Sequence, residues 1–318
     1  MSSLSAAWTG RDDGPGAAQR RWHQAISGHP AAASVVLAGF ASDAGVSRNG
    51  GRPGAAQAPD ALRGALASLA YAGEPGSVAD LGDVVVEGDE LEAGQAALGA
   101  LIAPALEAKK LVVVLGGGHE TAWGSYLGLS GSGVLACGSR LGILNLDAHF
   151  DLREAQRPSS GTPFLQMARD REENGQDFDY AVVGISEPNN TRVLFETAAR
   201  HGVEYLLDED CQVESTREVV EFVEAFAARV DVLYLTIDLD VLPAATAPGV
   251  SAPAGFGVPL PVIRAAALAA ARSGKLALAD VVELNPRFDV DFRTARTAAR
   301  LIHDVVSAAR GNPPPGWS

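Results

Sequence analysis

The chain has 318 residues, enough for two average domains yet within the range of one α/β domain, and its 47% hydrophobic against 20% charged residues argue against a disordered or collagen-like chain. Lysine and arginine number 25 and aspartate and glutamate 39, a net charge of −14 that argues against nucleic-acid binding and requires any anionic ligand to be met by local arginines. Two cysteines, Cys137 and Cys211, are too few for a disulfide-stapled fold and predict buried or inert thiols in a reducing compartment.

In chain order, residues 1–30 read as a poorly ordered start, and Met1 to Asp13 lacks the basic region and apolar stretch of a signal peptide. Short apolar runs predict strands at Ser34 to Phe40, Leu111 to Leu115, Leu141 to Leu146, Tyr180 to Gly184, Val232 to Ile237 and Leu276 to Val282, with weaker ones near Val84 and Tyr205. Helices are predicted to start at Pro59, Leu91, Thr121, Thr191, Ser215, Pro259 and Phe292, several opened by proline or a capping hydroxyl. Ser42 to Gly54 reads as a loop by its turn residues, and Gly311 to Ser318 as a tail. The alternation predicts an α/β fold with a largely parallel sheet, as a single domain over residues 31–310. The apolar run Ala31 to Ala41 is too short to cross a bilayer, and the alanine-rich stretch near Ala265 is broken by Arg264 and Arg272, so no membrane contact and a cytoplasmic location are expected.

Four of the apolar runs lead directly into ionisable residues. Gly116-Gly117-Gly118-His119-Glu120 follows the second run, Asp147-Ala148-His149-Phe150-Asp151 the third, Asp238-Leu239-Asp240 the fifth and Glu283-Leu284-Asn285-Pro286 the sixth. In a parallel sheet the carboxyl ends of the strands share one edge, where such folds place ligands. Side chains two apart on extended backbone face the same way, so Asp147, His149 and Asp151 project together, as do Asp238 and Asp240. Taken singly, each fragment is as well explained by a strand-to-helix turn, a solvated acidic loop or a helix cap. Jointly, His119, Asp147, His149, Asp151, Asp238 and Asp240 present two imidazoles and four carboxylates at equivalent strand ends.

Burying clustered carboxylates costs several kcal/mol each unless cations neutralise them. Two divalent cations balance four carboxylates, and oxygen and nitrogen donors without thiolate suit Mn²⁺, with Fe²⁺, Co²⁺, Zn²⁺ or Ni²⁺ also compatible. Six side chains filling two sites imply that some carboxylates bridge. Water between paired ions ionises near neutral pH, which predicts a metallohydrolase. The glycines before His119 fit neither a dinucleotide fingerprint nor a P-loop, no serine elbow surrounds Ser159 or Ser160, and His23, His29, His201 and His303 stand alone.

From about Asn49 to Ile302 the chain resembles the ureohydrolase superfamily, which includes arginase, agmatinase and formimidoylglutamase. The resemblance is carried by Gly-Gly-Gly-His-Glu, Asn-Leu-Asp-Ala-His-Phe-Asp-Leu-Arg, Ser-Gly-Thr-Pro-Phe at Ser160 to Phe164, Asp-Leu-Asp and Glu-Leu-Asn-Pro. It implies a three-layer α/β/α subunit with two Mn²⁺ ions, assembled into homotrimers or hexamers. By position, His119 and Asp151 would hold one ion and His149 and Asp240 the other, with Asp147 and Asp238 bridging and Glu283 facing the amidine carbon.

Arginases and agmatinases carry a histidine where this chain has Ser160, a departure that moves the reading away from guanidine hydrolysis. His149 to Arg153 and Ser186 to Thr191 are similar to formimidoylglutamase, and neutral Asn189 and Asn190 suit N-formimidoylglutamate, whose nitrogen is not a free amine. The resemblance therefore implies hydrolysis of N-formimidoyl-L-glutamate to L-glutamate and formamide, a step of histidine degradation. Arg153 would clamp a substrate carboxylate, Arg52 and Arg157 being weaker candidates for the second. With no histidine shuttle, the proton for the leaving amine would come from Asp240 or solvent. The competing expectations are a urea-releasing ureohydrolase acting on agmatine or a guanidino acid, and a metal-binding regulatory protein without turnover.

Overall fold

The computed structural model describes residues 4–311, apart from the side chains of Ala136 and Cys137. Nine described strands form one sheet: β1 (Ile26–Ser27), β2 (Val35–Ala41), β3 (Val78–Val85), β4 (Leu111–Leu115), β5 (Leu141–Leu146), β6 (Asp179–Ile185), β7 (Glu204–Leu207), β8 (Val232–Asp238) and β9 (Leu276–Val282). Their order is β1-β3-β2-β4-β9-β8-β5-β6-β7, and every pairing between them is parallel. Strands covered on both faces need apolar side chains in both directions, which is why β2 and β4 read as unbroken apolar runs and β5 and β8 as runs broken only by Asn145, Thr236 and Asp238.

The helices are α1 (Trp22–Ala25), α2 (Ala44–Arg48), α3 (Ala58–Ala67), α4 (Leu91–Glu107), α5 (Thr121–Gly131), α6 (Pro163–Glu173), α7 (Arg192–Arg200), α8 (Thr216–Ala228), α9 (Leu260–Arg272) and α10 (Arg293–Ala309). Leu62, Val223, Val262 and Ile302 pack α3, α8, α9 and α10 onto one face of the sheet, with Leu37, Val113 and Leu235 beneath them. Leu98, Tyr126, Phe164 and Leu194 pack α4, α5, α6 and α7 onto the other, against Val36, Val114 and Ile143. The result is the expected three-layer α/β/α arrangement. None of the described helices is long and apolar enough to cross a membrane.

Three expectations need correction. The N-terminal segment is anchored at particular residues, although 9–13 and 15–19 are exposed: Trp22 is fully buried against Tyr71, and its Nε1 donates to His303 Nδ1 of α10 at 3.0 Å. Trp8 Nε1 donates to Asp80 Oδ2 at 2.6 Å, and β1 extends the sheet beside β3. Two large aromatic side chains, each with a satisfied N–H, anchor a segment whose composition alone looks like loop. Second, Pro163 opens α6, which buries Phe164, Leu165, Met167, Ala168 and Arg171; its charged second half masks the apolar stripe. Third, the loop after β2 contains the short helix α2. Cys211 is free and buried, its thiol pushed up to about 12 chiefly by burial. The reading of Cys137, and that of the tail from residue 312 onward, lies outside the described residues.

A buried ion-pair cluster ties α3 to β3. Arg63 is fully buried, its Nε and Nη2 lying 2.8 and 3.0 Å from the carboxylate oxygens of Asp80 and its Nη1 2.7 Å from Asp83. Truncation to Arg63→Ala strands the buried Asp80 charge, and an equilibrium denaturation loss of about 3–5 kcal/mol is expected. A loss below about 1 kcal/mol would show that the carboxylates find other partners.

Candidate metal centre

The central strands β4, β9, β8 and β5 are neighbours in that order, so the segments leaving their carboxyl ends emerge along one edge. His119 comes from the turn after β4, Glu283 directly follows β9, Asp238 ends β8 with Asp240 two residues on, and Asp147, His149 and Asp151 follow β5. Local backbone makes this convergence possible. A Cβ on Gly117 would stand 1.9 Å from the Ser42 carbonyl oxygen, so only glycine lets the β4 turn pass the β2 loop. Glu283 and Asp151 adopt left-handed backbone, with φ of 67° and 48°. Such conformations cost about 1–3 kcal/mol and persist where the surroundings over-determine them. For Glu283, its N–H donates to Gly117 O and its Oε1 accepts the His119 N–H, both at 2.8 Å.

All six expected ligands converge. His119 Nδ1 lies 3.0 Å from Asp238 Oδ2 and 3.1 Å from both Asp147 Oδ2 and Asp151 Oδ2. His149 Nδ1 lies 3.3 Å from Asp240 Oδ2 and 3.5 Å from Asp147 Oδ1. Two overlapping ligand groups result, His119 with Asp147 and Asp151, and Asp147 with His149 and Asp240. Asp147 is shared, and Asp238 adjoins the first group. His119 and the side chains of Asp147, Asp238 and Asp240 are buried, whereas those of His149 and Asp151 are 21% and 12% exposed, which marks the open side of the site.

The arrangement suits cations at its centre. His119 Nδ1 faces three carboxylate oxygens yet forms no well-directed hydrogen bond, and buried Asp240 Oδ1 also lacks a partner. One imidazole proton cannot serve three acceptors, whereas a divalent ion can accept all of these donors. Burial, then the charges of Asp240 and Asp147, pushes the Asp238 carboxyl well above the usual range. Burial and the nearby Glu120 and Asp240 charges push Glu283 up to about 8. Burial also opposes the charged form of both imidazoles, but the adjacent carboxylates outweigh it and hold His119 and His149 well above their usual value. Each shift reports the same deficit of positive charge.

Several contributors were not singled out in the sequence. Asn145 Nδ2 donates to Asp147 Oδ2 at 2.9 Å and to Tyr180 OH at 3.0 Å, while that hydroxyl donates to Phe150 O at 3.0 Å, so the pair steadies the β5 ligand segment. Phe164 meets the His119 ring edge-on at 5.2 Å. Buried Glu120 accepts from Ser42 Oγ at 2.8 Å and from the Gly45 N–H at 2.9 Å, which links the β4 turn to the β2 loop. A polar residue inside an otherwise apolar strand was the available signal for Asn145.

The expected substrate contacts fare differently. Asn190 is buried, its Oδ1 accepting the Phe150 N–H and its Nδ2 donating to Ala148 O and Ser186 O, so its amide braces the ligand segment and has little left for a substrate. Asn189 is exposed and donates to Ser186 Oγ at 3.2 Å. Ser160 Oγ accepts from Asn49 Nδ2 at 3.2 Å. Exposed Arg153 lies across Gly161, where a Cβ would stand 2.9 Å from Arg153 Cδ, and it lines a cleft of about 490 Å³ with Arg169 and Arg200. Arg52 is committed to the loop: it donates to Val250 O and Ser251 O and stacks on Phe288 at 3.9 Å. Arg157 pairs with Asp89 at 2.6 Å on the surface.

The family model described as Arginase family matches residues 33–307. A formimidoylglutamase of Rhodococcus jostii is 56% identical, with 94% of each chain covered, and one of Nocardia farcinica is 55% identical, with 94% of this chain and 96% of the relative covered. Among solved structures, a formiminoglutamase of Trypanosoma cruzi with Mn²⁺ is similar in fold at a TM-score of 0.78 and 24% identity, covering 88% of this chain and 95% of the other. An arginase of Bacillus subtilis is similar at 0.71 and 24%, covering 86% and 98%.

Proposed function

The chain belongs to the arginase family, and we propose that it is a formimidoylglutamase that hydrolyses N-formimidoyl-L-glutamate to L-glutamate and formamide with two Mn²⁺ ions per subunit. The observation that carries this reading is a 56% identity to a formimidoylglutamase over 94% of the chain. It is joined by a site whose donors suit paired cations. In this reading His119 and Asp151 would hold one ion and His149 and Asp240 the other, with Asp147 and Asp238 serving both. Bound ions supply a water nucleophile that is ionised near neutral pH.

The protein's own groups orient and complete the reaction. Glu283, braced by the β4 turn, sets its carboxylate against the positive charge of the amidine. The new C–O bond forms at the formimidoyl carbon, and the bond from that carbon to the glutamate nitrogen breaks. Asp240, whose buried Oδ1 has no partner among the described residues, holds the proton that passes to the departing amine. Arg153, which lines a cleft together with Arg169, Arg200, Glu154 and Glu172, receives a substrate carboxylate, and Asn189 and Ser160 complete the substrate contacts of this reading. Assembly into homotrimers or hexamers, as single catalytic domains in the cytoplasm, belongs to the same reading.

The test is Mn²⁺-reconstituted protein assayed against N-formimidoyl-L-glutamate, agmatine and guanidino acids. Formamide is the expected product, and urea would place the chain elsewhere in the family. A charge-assisted contact contributes about 1.5–3 kcal/mol, so Arg153→Ala is expected to raise KM roughly tenfold to hundredfold with kcat little changed. An unaltered KM would remove the clamp.

A further inference from the structure

One fully buried acid lies outside the roles assigned so far. Asp280 occupies the middle of β9, in a strand that is otherwise apolar, and is fully buried on the face covered by α5. Its Oδ2 accepts from Ser125 Oγ of α5 at 2.8 Å and from Tyr234 OH of β8, while its Oδ1 lacks a directed partner among the described residues. Thr236 of β8 is the cross-strand neighbour of Asp280 in the parallel register, so the two side chains share one face of the sheet. The Thr236 hydroxyl oxygen lies 3.0 Å from His119 Nε2. His119, Thr236 and Asp280 therefore stand in succession outward from the centre.

We propose that Asp280, acting through Thr236, is a positioning residue that fixes His119 with its proton on Nε2 and the Nδ1 lone pair directed at the ion. A hydroxyl has one proton. When Thr236 directs that proton at Asp280, only its lone pairs face His119, so Nε2 must be the donor. Nδ1 is then the free nitrogen, the one surrounded by Asp147, Asp151 and Asp238. A protein that turned the Thr236 proton towards His119 would favour the other tautomer, with a proton where the ion belongs. The carboxylate gives the hydroxyl a strong acceptor on its far side and so sets the direction. Ser125 and Tyr234 satisfy Oδ2, and Oδ1, buried without a partner among the described residues, is the acceptor this assignment gives to the Thr236 proton.

This inference rests on the two-ion reading of the centre, and the experiment separates the two. Mn²⁺ binding is measured by titration, following the electron-spin resonance of the free ion, on wild type, Thr236→Val, Thr236→Ser and Asp280→Asn. Wild type is expected to bind two ions. Thr236→Val, nearly isosteric and leaving the Ser125 and Tyr234 bonds in place, is expected to weaken one of them roughly 10–100-fold. Thr236→Ser is expected to restore the affinity, which a purely space-filling role for Thr236 would not require. Asp280→Asn is expected to weaken the same ion; if that variant does not fold, the valine and serine pair decides. Wild-type affinity for both ions in Thr236→Val overturns the relay and leaves the centre intact. A wild type that binds no Mn²⁺ overturns both.

Discussion

Asp147→Asn is expected to release both ions and to lower kcat/KM by at least about 10³-fold, in keeping with the several kcal/mol that bound metal contributes to such reactions. Asp147 is fully buried and is the residue common to both ligand groups, with one oxygen 3.1 Å from His119 Nδ1 and the other 3.5 Å from His149 Nδ1. The amide preserves size but replaces one ligand oxygen by a donor and removes one of the four negative charges that balance two divalent ions. Metal analysis after dialysis and formamide release read the outcome. Stability gives an independent check: Mn²⁺ raises the melting temperature of a protein that binds it only when folded. Wild type should melt lower after chelation, whereas Asp147→Asn should be indifferent to chelator. A variant that keeps both ions and full turnover would sink the shared-ligand reading.

Glu283→Gln separates chemistry from metal binding. The amide retains an oxygen to accept the His119 N–H, which the wild-type carboxylate receives at 2.8 Å, so the β4 turn and both ions should be kept. What disappears is the negative charge facing the amidine. Removing one such electrostatic contact from an enclosed site lowers kcat about 10²–10³-fold. The expected result is therefore two ions per chain with turnover reduced by that factor. Loss of the ions would instead make Glu283 part of the scaffold, and near-normal kcat would deny it any role in the reaction.

The segments of the candidate site were legible because a parallel sheet writes them plainly. Its inner strands are mainly apolar on both faces, and, Asp280 of β9 apart, their charged residues gather where the strands end, so His119, Asp147, Asp238 and Glu283 announce themselves as abrupt changes in character. The i, i+2 spacing then assigns Asp147, His149 and Asp151 to one side without knowledge of the neighbours. Elements with mixed local signals were harder. The charged residues Arg169 to Glu173 hide the apolar stripe of α6, and the N-terminal segment owes its order to Trp8 and Trp22 meeting Asp80, Tyr71 and His303, contacts that span most of the chain. Asn190 shows the same limit in the site: its residue type suggested a substrate contact, but its position beneath the β5 segment gives it three backbone partners.

Sequence alone determined the α/β class, the four strand ends and the six metal-ligand candidates, because strand burial and side-chain alternation are local properties of the chain. The tertiary structure decided that β4, β9, β8 and β5 are adjacent, that Arg52 and Asn190 serve the scaffold, and that Thr236 stands opposite Asp280 with His119 at its other side. Strand order and register choose the partners of a buried polar atom, and residues far apart in the chain carry no mark of that choice until folding brings them together.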